Sequence, residues 1–367
     1  MECRRFPPSS AALVAALGVW SALFLFFLLL VPSGRVLADE AEELAVRLMT
    51  RSLEAIRSGR LSAEAPIDPR TDLNRTGLVG LENSSITTSL GQIEAKRTAA
   101  NPQFAGAVVR MLREAGVRPG DTVALSASSS FPGLIVAALC AARALDVKIL
   151  PILSLGASNW GGNDPRWTGL ETVACLNRSG ILEIGLLAAA VGGEGDIGRD
   201  MTAEGRAYLK QKIREAGLLL IEEKTLVDDV RLRRELFEKH AAGAALKAFV
   251  NVGGSWVNMG TDSEILKLRP GFNPAATVFV PPAGRRGLIQ EMAARGIPVI
   301  HLLYVKGLAD RYGLPWDPFP FPVSGTSASR EERAAVGPLL FGGAVVYLLG
   351  VIVGAALILR CRLSLTI

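Results

Sequence analysis

The sequence of 367 residues is poor in the side chains that mark several enzyme classes. It holds two histidines and four cysteines, with no CxxC pair and no His/Cys cluster. Zinc sites are built from such clusters, so the sequence predicts no metal site, and no cofactor is expected. There is also no Gly-x-Ser-x-Gly elbow and no glycine-rich loop ending in Gly-Lys-Ser/Thr. These absences argue against an α/β-hydrolase nucleophile and against a P-loop nucleotide site.

Most of the chain carries no strong excess of positive or negative charge. The formal net charge is +5, from 40 basic and 35 acidic residues. Much of that surplus comes from four arginines at the two ends, which are Arg4, Arg5, Arg360 and Arg362. Because the long middle part is close to neutral, the composition does not favour nucleic-acid binding, and no nucleic-acid partner is expected.

Two apolar runs, residues 11–31 and 336–359, contain no charged side chain. A bilayer core needs about 20 apolar residues in a helix, so each run is expected to be a transmembrane helix. Short basic flanks stay in the cytoplasm. We therefore expect cytoplasmic tails at 1–10 and 360–367, and a main domain held outside the inner membrane of a bacterial cell.

A cleaved signal peptide is the alternative for the first run. Residues 36–38, Val-Leu-Ala, lie before Asp39 and have the character of a small-residue cleavage site. The run exceeds the roughly 7–15 apolar residues of a signal sequence, which favours an uncleaved anchor.

The cysteines of the middle part are Cys140 and Cys175. A disulfide between them is compatible with an oxidising compartment, but their spacing does not require one. Cys140 stands in an apolar run, which favours a buried free thiol.

Between the two apolar runs, short β patterns alternate with amphipathic helical patterns. A juxtamembrane helix and linker are expected at 32–75, a compact domain at 76–322 and a second linker at 323–335. The strands are predicted at 122–125, 147–153, 218–221, 248–252, 277–280 and 298–303. This alternation predicts the α/β class, with a mostly parallel, doubly wound sheet flanked by one N-terminal and one C-terminal transmembrane helix.

Such sheets bind ligands at the carboxyl ends of their strands. Three loops rich in small and polar residues follow predicted strands. The first is residues 126–133, where serines precede Pro132 at the start of a predicted helix. Free N–H groups at a helix start favour an anion, although serines there also serve simply as caps.

The second loop, residues 154–165, combines amides, a tryptophan, a carboxylate and a Gly-Gly pair, which is more than a turn requires. The third, residues 251–261, has a similar composition. If the loops converge on one cleft, they form a ligand site. The predicted ligand-binding residues are Ser126, Ser128, Ser129, Ser130, Asn159, Trp160, Asn163, Asp164, Asn251, Gly253, Gly254, Ser255, Trp256 and Asn258.

Catalysis has only weak candidates. His301 lies in an apolar strand, where a histidine is more often a hydrogen-bonded core residue than a base. Ser128 or Ser130 with His301 and Asp164 would form a Ser/His/Asp set, although nothing in the spacing requires it. A fourth segment, residues 87–98, carries Lys96 and Arg97, and a solvated helix face is its simpler interpretation.

Five segments carry a resemblance to a known family: AKRTAANPQFAGAVVRMLREAGVRPGDTVA, SSSFPG, GASNWGGNDPRWT, NVGGSWVNMGT and GIPVIHLL. They are similar to the poly-γ-glutamate system protein family over most of the chain, about residues 44–322. The resemblance implies a component of bacterial poly-γ-glutamate synthesis or export. It also implies two partners, the poly-γ-glutamate ligase and its small membrane partner. No catalytic residues follow from it.

The resemblance and the loops together lead to alternative expectations. One is a membrane-anchored, extracytoplasmic subunit that binds the anionic glutamyl polymer or partner subunits. Another is an extracytoplasmic hydrolase or transpeptidase that acts on γ-glutamyl amide bonds. The third is a scaffold whose cleft has no function.

Overall fold

A computed structural model describes residues 10–30, 40–322 and 330–363. It divides the chain into two compact units, a terminal unit from residues 1–37 and 327–367 and an α/β unit from residues 38–326. The helices are α1 (Ser10–Leu30), α2 (Glu40–Ser62), α3 (Ile93–Ala99), α4 (Gln103–Glu114), α5 (Pro132–Ala144), α6 (Gly169–Arg178), α7 (Ala203–Glu215), α8 (Leu226–Ala241), α9 (Trp256–Met259), α10 (Leu288–Ala293), α11 (Val305–Tyr312) and α12 (Arg330–Leu363). The strands are β1 (Thr122–Ser128), β2 (Lys148–Ser154), β3 (Ala188–Ala190), β4 (Leu219–Ile221), β5 (Leu246–Val252), β6 (Gly271–Asn273) and β7 (Val299–Leu302).

The terminal unit pairs α1 with α12 through aromatic contacts. Phe24 stacks on Tyr347 with ring centroids 4.3 Å apart. The indole Nε1 of Trp20 donates a hydrogen bond to the Tyr347 carbonyl oxygen at 3.3 Å.

The membrane predictions for the two apolar runs require correction. Crossing a bilayer takes about 20 consecutive apolar residues in a helix, and within residues 10–30, 40–322 and 330–363 no helix meets that requirement of length and apolarity. The two flanking transmembrane helices, the inner-membrane location and the inside-outside orientation inferred from them are therefore not supported. The tail and linker predictions at 1–9, 31–39, 323–329 and 364–367 lie outside the described residues.

A seven-stranded sheet organises the described part of the α/β unit, in the order β4-β3-β2-β1-β5-β7-β6. All neighbouring strands are parallel except β6, which pairs antiparallel with β7 at one edge. The chain moves from β1 outward through β2, β3 and β4, and then returns to place β5 on the other side of β1. The fold is therefore α/β with a mostly parallel, doubly wound sheet.

Helices cover both faces of the sheet, which explains why its central strands are apolar almost throughout. On one face, α2, α4 and α5 pack together around residues such as Met49, Phe104 and Leu134. On the other face, α8 and α10 bury Phe237 and Met292. Alternate residues of β1 point into the two cores, so both faces of the sheet are covered. A ligand can therefore approach the sheet only at the ends of its strands.

Three local features differ from the sequence-based expectation. Residues 277–280 are not a strand, and the edge strand is Gly271–Asn273 instead. Proline at 274, 281 and 282 removes N–H donors around that segment, which disfavours strand pairing. The three-alanine strand β3 was missed because alanine carries a weak β preference. Helix α2 packs on α4 and α5, so the compact unit includes residues that precede Thr76.

Candidate functional site

The strand order changes direction between β1 and β5. The chain leaves β1 for β2 on one side and leaves β5 for β6, beyond β7, on the other side. The loops after β1 and β5 therefore separate and leave a crevice at the carboxyl ends. Parallel α/β sheets commonly bind ligands at such a switch point. The loops after Ser128 and Val252 emerge side by side there, because Ala127 is in register with Val252.

A cleft of about 560 Å³ lies at this point, referred to below as the switch-point cleft. It is within the size range of small-ligand sites. Its walls come from the loops after β1, β2, β3, β5 and β7, from α3 and the segment before it, and from the start of α11 with Trp316. The lining residues are Thr88, Ser89, Leu90, Gly91, Gln92, Ala95, Lys96, Ser128, Ser130, Phe131, Ser158, Gly193, Glu194, Asp200, Gly254, Ser255, Trp256, Leu303, Tyr304, Val305, Lys306 and Trp316.

Five residues predicted from the sequence line this cleft: Ser128, Ser130, Gly254, Ser255 and Trp256. The Ser128 hydroxyl donates to Ser130 Oγ at 3.0 Å. The Trp256 side chain remains about half exposed and offers an aromatic face. The structure therefore brings parts of the first and third loops together on one surface.

The serines after β1 do not cap α5. The residue before that helix is Phe131, and no side chain caps its first turn. Instead, Ser130 Oγ accepts a hydrogen bond from the Ser158 backbone N–H at 3.0 Å. The serine run thus connects two loops of the cleft instead of ending a helix.

Several amides of the second loop lie outside the cleft and hold residues 80–91, a segment called the strap below. The Asn163 side chain accepts from the Leu81 N–H and donates to the Leu81 carbonyl, both at 2.9 Å. It also donates to Thr87 Oγ1 at 2.9 Å. Asn159 Oδ1 accepts from the Gly91 N–H at 3.1 Å, and the Trp160 N–H donates to the Leu81 carbonyl at 2.8 Å.

The Gly161-Gly162 pair allows the second loop to lie against the first. The Gly162 N–H donates to the Ser129 carbonyl at 2.8 Å. A Cβ at position 161 would lie 2.8 Å from the Ser130 carbonyl oxygen, which is too close for a carbon atom. Ser129 itself is buried beneath this contact and does not line the cleft.

Asp164 is an ion-pair residue and does not line the cleft. Its carboxylate accepts from Arg60 Nη2 at 2.8 Å and from Arg166 Nε at 3.1 Å. Both Asp164 and Arg60 are buried. This pair ties α2 to the loop after β2, so the carboxylate is occupied by structural partners.

A buried polar layer lies beneath the cleft, on the α8 face of the sheet. Ser126, Asn251 and His301 occupy register positions across β1, β5 and β7. The Asn258 amide donates to Asn251 Oδ1 at 2.7 Å and to the Ser126 carbonyl at 3.0 Å. The Asn251 amide in turn donates to the Gly253 carbonyl at 2.9 Å. These predicted residues fix the shape of the third loop from below.

His301 belongs to this layer and not to the cleft. Its Nδ1 lies 2.9 Å from Asn251 Nδ2. Because the amide nitrogen can only donate, Nδ1 is assigned as the acceptor and the ring proton is placed on Nε2. Burial lowers the pKa of His301 to about 4. Among the described residues, no hydrogen bond joins it to a serine. The geometry therefore does not assemble the Ser/His/Asp set with Ser128, Ser130 and Asp164.

Lys96 and Ser158 are the main features that sequence reasoning missed. Lys96 is buried, although its segment was expected to be a solvated helix face. Its Nζ lies 2.6 Å from the Ser130 carbonyl oxygen and 2.7 Å from Ser158 Oγ. The side chain also lies over the Phe131 ring, with Nζ 3.7 Å from the centroid. The signals in the sequence are the position of Ser158 within the second loop and the local positive charge of Lys96 and Arg97.

The Lys96 ammonium has no carboxylate partner among the described residues. Burial lowers the pKa of Lys96 to about 7, because an unpaired charge is poorly solvated there. The Phe131 ring favours the ammonium form and opposes this lowering. A lysine that changes charge near neutral pH inside a cleft is a common feature of functional sites.

A buried ion cluster supports the loops next to the cleft. Arg233 of α8 is fully buried and pairs with Asp229 at 2.7 Å and with Asp196. Asp196 comes from the loop after β3, and its carboxylate accepts from Ser154 Oγ at 2.8 Å. Burial raises the pKa of Asp196, and the charge of Arg233 opposes this shift.

Charges around the cleft are nearly balanced, but they are separated in depth. The acids Glu194 and Asp200 are exposed residues of the loop after β3. Lys306 is partly exposed and pairs with Asp310 at 2.5 Å. Of the described residues, Lys96 is the one charged side chain that is buried in the lining, and it shares the lining with Ser128, Ser130, Ser158 and Ser255.

Metal binding and similarity to other proteins give no further assignment. The described residues contain no group of three or more His, Cys, Asp or Glu that could hold a metal ion. Cys140 and Cys175 are both buried free thiols.

No family model, curated protein or solved structure matches this chain.

Proposed function

We propose that this protein is a component of a bacterial poly-γ-glutamate system and that its switch-point cleft binds a segment of the glutamyl polymer. The choice of polymer comes from the resemblance of residues 44–322 to that family. The proposed partners are the poly-γ-glutamate ligase and its small membrane partner. The observation that carries the binding proposal is the serine-lined inner wall, where Lys96 lacks a carboxylate partner among the described residues.

The chemistry of the polymer fits this wall. Each γ-linked unit carries a free α-carboxylate and an amide carbonyl, which are hydrogen-bond acceptors. The hydroxyls of Ser128, Ser130, Ser158 and Ser255 stand in the lining with Lys96. Ser255 Oγ is buried without a hydrogen-bond partner among the described residues, and an acceptor of the polymer would satisfy it, since an unpaired buried polar atom is costly.

Exposed aromatic groups suit the aliphatic part of each unit. Trp256 is 47% exposed and Tyr304 is 65% exposed, and both line the cleft. Two methylene groups separate the α-carbon from the γ-carbonyl in each glutamyl unit, and these can pack on the rings. The acids Glu194 and Asp200 in the lining would limit the affinity and permit release.

Isothermal titration of the full-length protein with γ-glutamate oligomers tests this proposal. We expect saturable binding, and we expect Trp256→Ala to weaken it about tenfold, which corresponds to about 1.4 kcal/mol. Phe279→Ala removes an exposed aromatic group outside the lining and serves as the matched control. An absence of heat with millimolar oligomer would exclude the proposed ligand.

A further inference from the structure

The strongest unassigned chemistry in the described residues is the contact between Ser158 and Lys96. We propose that Ser158 is a nucleophile and Lys96 its general base, in an acyl-transfer site that acts on γ-glutamyl amide bonds. This inference rests on the proposed function for the identity of its substrate. The distance of 2.7 Å between Ser158 Oγ and Lys96 Nζ is direct hydrogen-bonding contact.

The Lys96 ammonium donates to Ser158 Oγ, and loss of one proton lets the Ser158 hydroxyl donate across the same contact. In the neutral amine, one N–H donates to the Ser130 carbonyl oxygen at 2.6 Å, which fixes the position of Nζ. The lone pair is then available to the Ser158 hydroxyl proton. Burial without a carboxylate partner provides the neutral form, and the lowered pKa of about 7 means that both protonation states are accessible near neutral pH.

Ser158 is held in place by its own loop and by the serines after β1. Its N–H donates to Ser130 Oγ at 3.0 Å, and Ser130 Oγ also accepts from Ser128 Oγ at 3.0 Å. The Ser158 carbonyl oxygen accepts a hydrogen bond from the Gly161 N–H at 2.9 Å. A positioned nucleophile reaches its target with less loss of entropy than a mobile one.

The same cleft presents Ser158 to a ligand. Ser158 is 5% exposed and lines the cleft together with Lys96, Trp256 and Tyr304. The sequence also offers Ser128, Ser130 and His301 as catalytic candidates. Within the described residues, no side chain of these three forms a hydrogen bond with Lys96 Nζ, whereas the Ser158 side chain does.

The proposed reaction balances without a further oxidant or reductant. Neutral Lys96 takes the hydroxyl proton of Ser158 while Oγ forms a bond to the amide carbonyl carbon. Lys96 then gives this proton to the amide nitrogen as its bond to carbon breaks, and the leaving chain departs with a free amino group. The ester on Ser158 is released by water, giving a carboxylic acid, or by the amino group of another chain, giving a new amide. In either case, Lys96 transfers a proton from the attacking group to Ser158 Oγ.

An activated acyl donor tests the nucleophile directly. The full-length protein is mixed with the γ-p-nitrophenyl ester of N-acetylglutamate, and release of p-nitrophenolate is followed together with mass spectrometry of the digested protein. We expect a burst and an acyl adduct on Ser158. The burst rate should rise with pH and level off above an apparent pKa near 7, because Lys96 acts in its neutral form. An adduct elsewhere, or no adduct, overturns the proposal without any variant.

Two variants separate chemistry from packing. Ser158→Ala should abolish the adduct, and Lys96→Arg should slow acylation about 100-fold or more, since arginine stays protonated. The controls are Ser58→Ala and Lys224→Arg, which alter exposed residues outside the cleft. Unchanged acylation in Lys96→Arg overturns the role of Lys96.

The outcome also distinguishes this inference from the proposed function. Titration of the native protein and of Ser158→Ala with γ-glutamate oligomers compares binding with and without the Ser158 hydroxyl. Polymer binding by the native protein without an adduct removes the catalytic inference and leaves the polymer-binding proposal intact. An adduct on Ser158 without polymer binding supports the acyl-transfer pair and removes γ-glutamate as its substrate.

Discussion

At the residue scale, Lys96 shows how burial gives a common side chain an unusual property. Its Nζ has a carbonyl and a hydroxyl as partners, and neither compensates a full positive charge. The protein therefore holds a destabilising group at the inner wall of its cleft. Such a group is typical of a site where stability is sacrificed for function.

This cost has a predictable dependence on pH. The folded-state pKa of Lys96, about 7, is below the unfolded value of 10.5, so between these values the unfolded chain binds more protons. The free energy of unfolding then rises with pH, by about 1.4 kcal/mol per pH unit from this group. We expect Lys96→Met to lose this dependence between pH 7 and 10 and to be relatively more stable than the native protein at pH 6.5.

Urea unfolding of both proteins at several pH values measures this difference. Taking the difference cancels the titration of the other groups. Lys224→Met changes an exposed lysine and should keep the native pH dependence. Parallel curves for the native protein and Lys96→Met would show that Lys96 is solvated in the folded protein.

At the element scale, the cleft depends on segments that are held together by buried polar groups. The Arg233 cluster links α8 to the loop after β3 through Asp196. Arg233 also donates to Ser126 Oγ at 3.4 Å and to Ser154 Oγ at 3.3 Å, so it reaches β1 and β2. One side chain thus connects the ends of two central strands to the loop beside them.

Removing Arg233 leaves two buried carboxylates without their cation. We expect Arg233→Met to lower the free energy of unfolding by about 3–5 kcal/mol at pH 7. Arg231→Met changes a mostly exposed arginine of the same helix and should cost less than about 1 kcal/mol. Denaturant unfolding measures both. Similar losses in the two variants would exclude a special role for the buried cluster.

The strap gives a second prediction at this scale. Asn163 makes three side-chain hydrogen bonds to Leu81 and Thr87, so Asn163→Ala should destabilise the protein by about 2–3 kcal/mol. Amide hydrogen exchange should increase within residues 80–91. Asn83→Ala alters an exposed asparagine of the strap and is the control. Unchanged exchange in the strap would contradict its attachment through Asn163.

At the scale of the whole molecule, the α/β unit contains its own core and its own candidate site. Its sheet is covered on both faces, and the switch-point cleft is lined only by its residues. We therefore expect a fragment of residues 40–322 to fold cooperatively, with a thermal midpoint within a few degrees of the corresponding transition in the full chain. Circular dichroism measures both transitions. A fragment without a cooperative transition would show that the other residues are required.

Much of the α/β architecture was predictable because its signals are local. The apolar sequences of β1 and β5 predict strands. Pro132 and the Gly-Gly pairs indicate the loops after the strands. The alternation of helices and strands restricts the chain to a mostly parallel sheet. Hydropathy alone also suggested two membrane spans at residues 11–31 and 336–359, a prediction that the described helices do not support.

The sequence by itself therefore determined the class of the fold and the loops in which polar chemistry is concentrated, since periodicity and turn residues depend on near neighbours. Only the tertiary structure decided which of those residues share a cleft. Asn163 and Asp164 bind the chain itself, and His301 lies in the layer below. Lys96 meets Ser158 across 62 positions of sequence. Burial and long-range contacts set the charge of that lysine, and no local pattern records them.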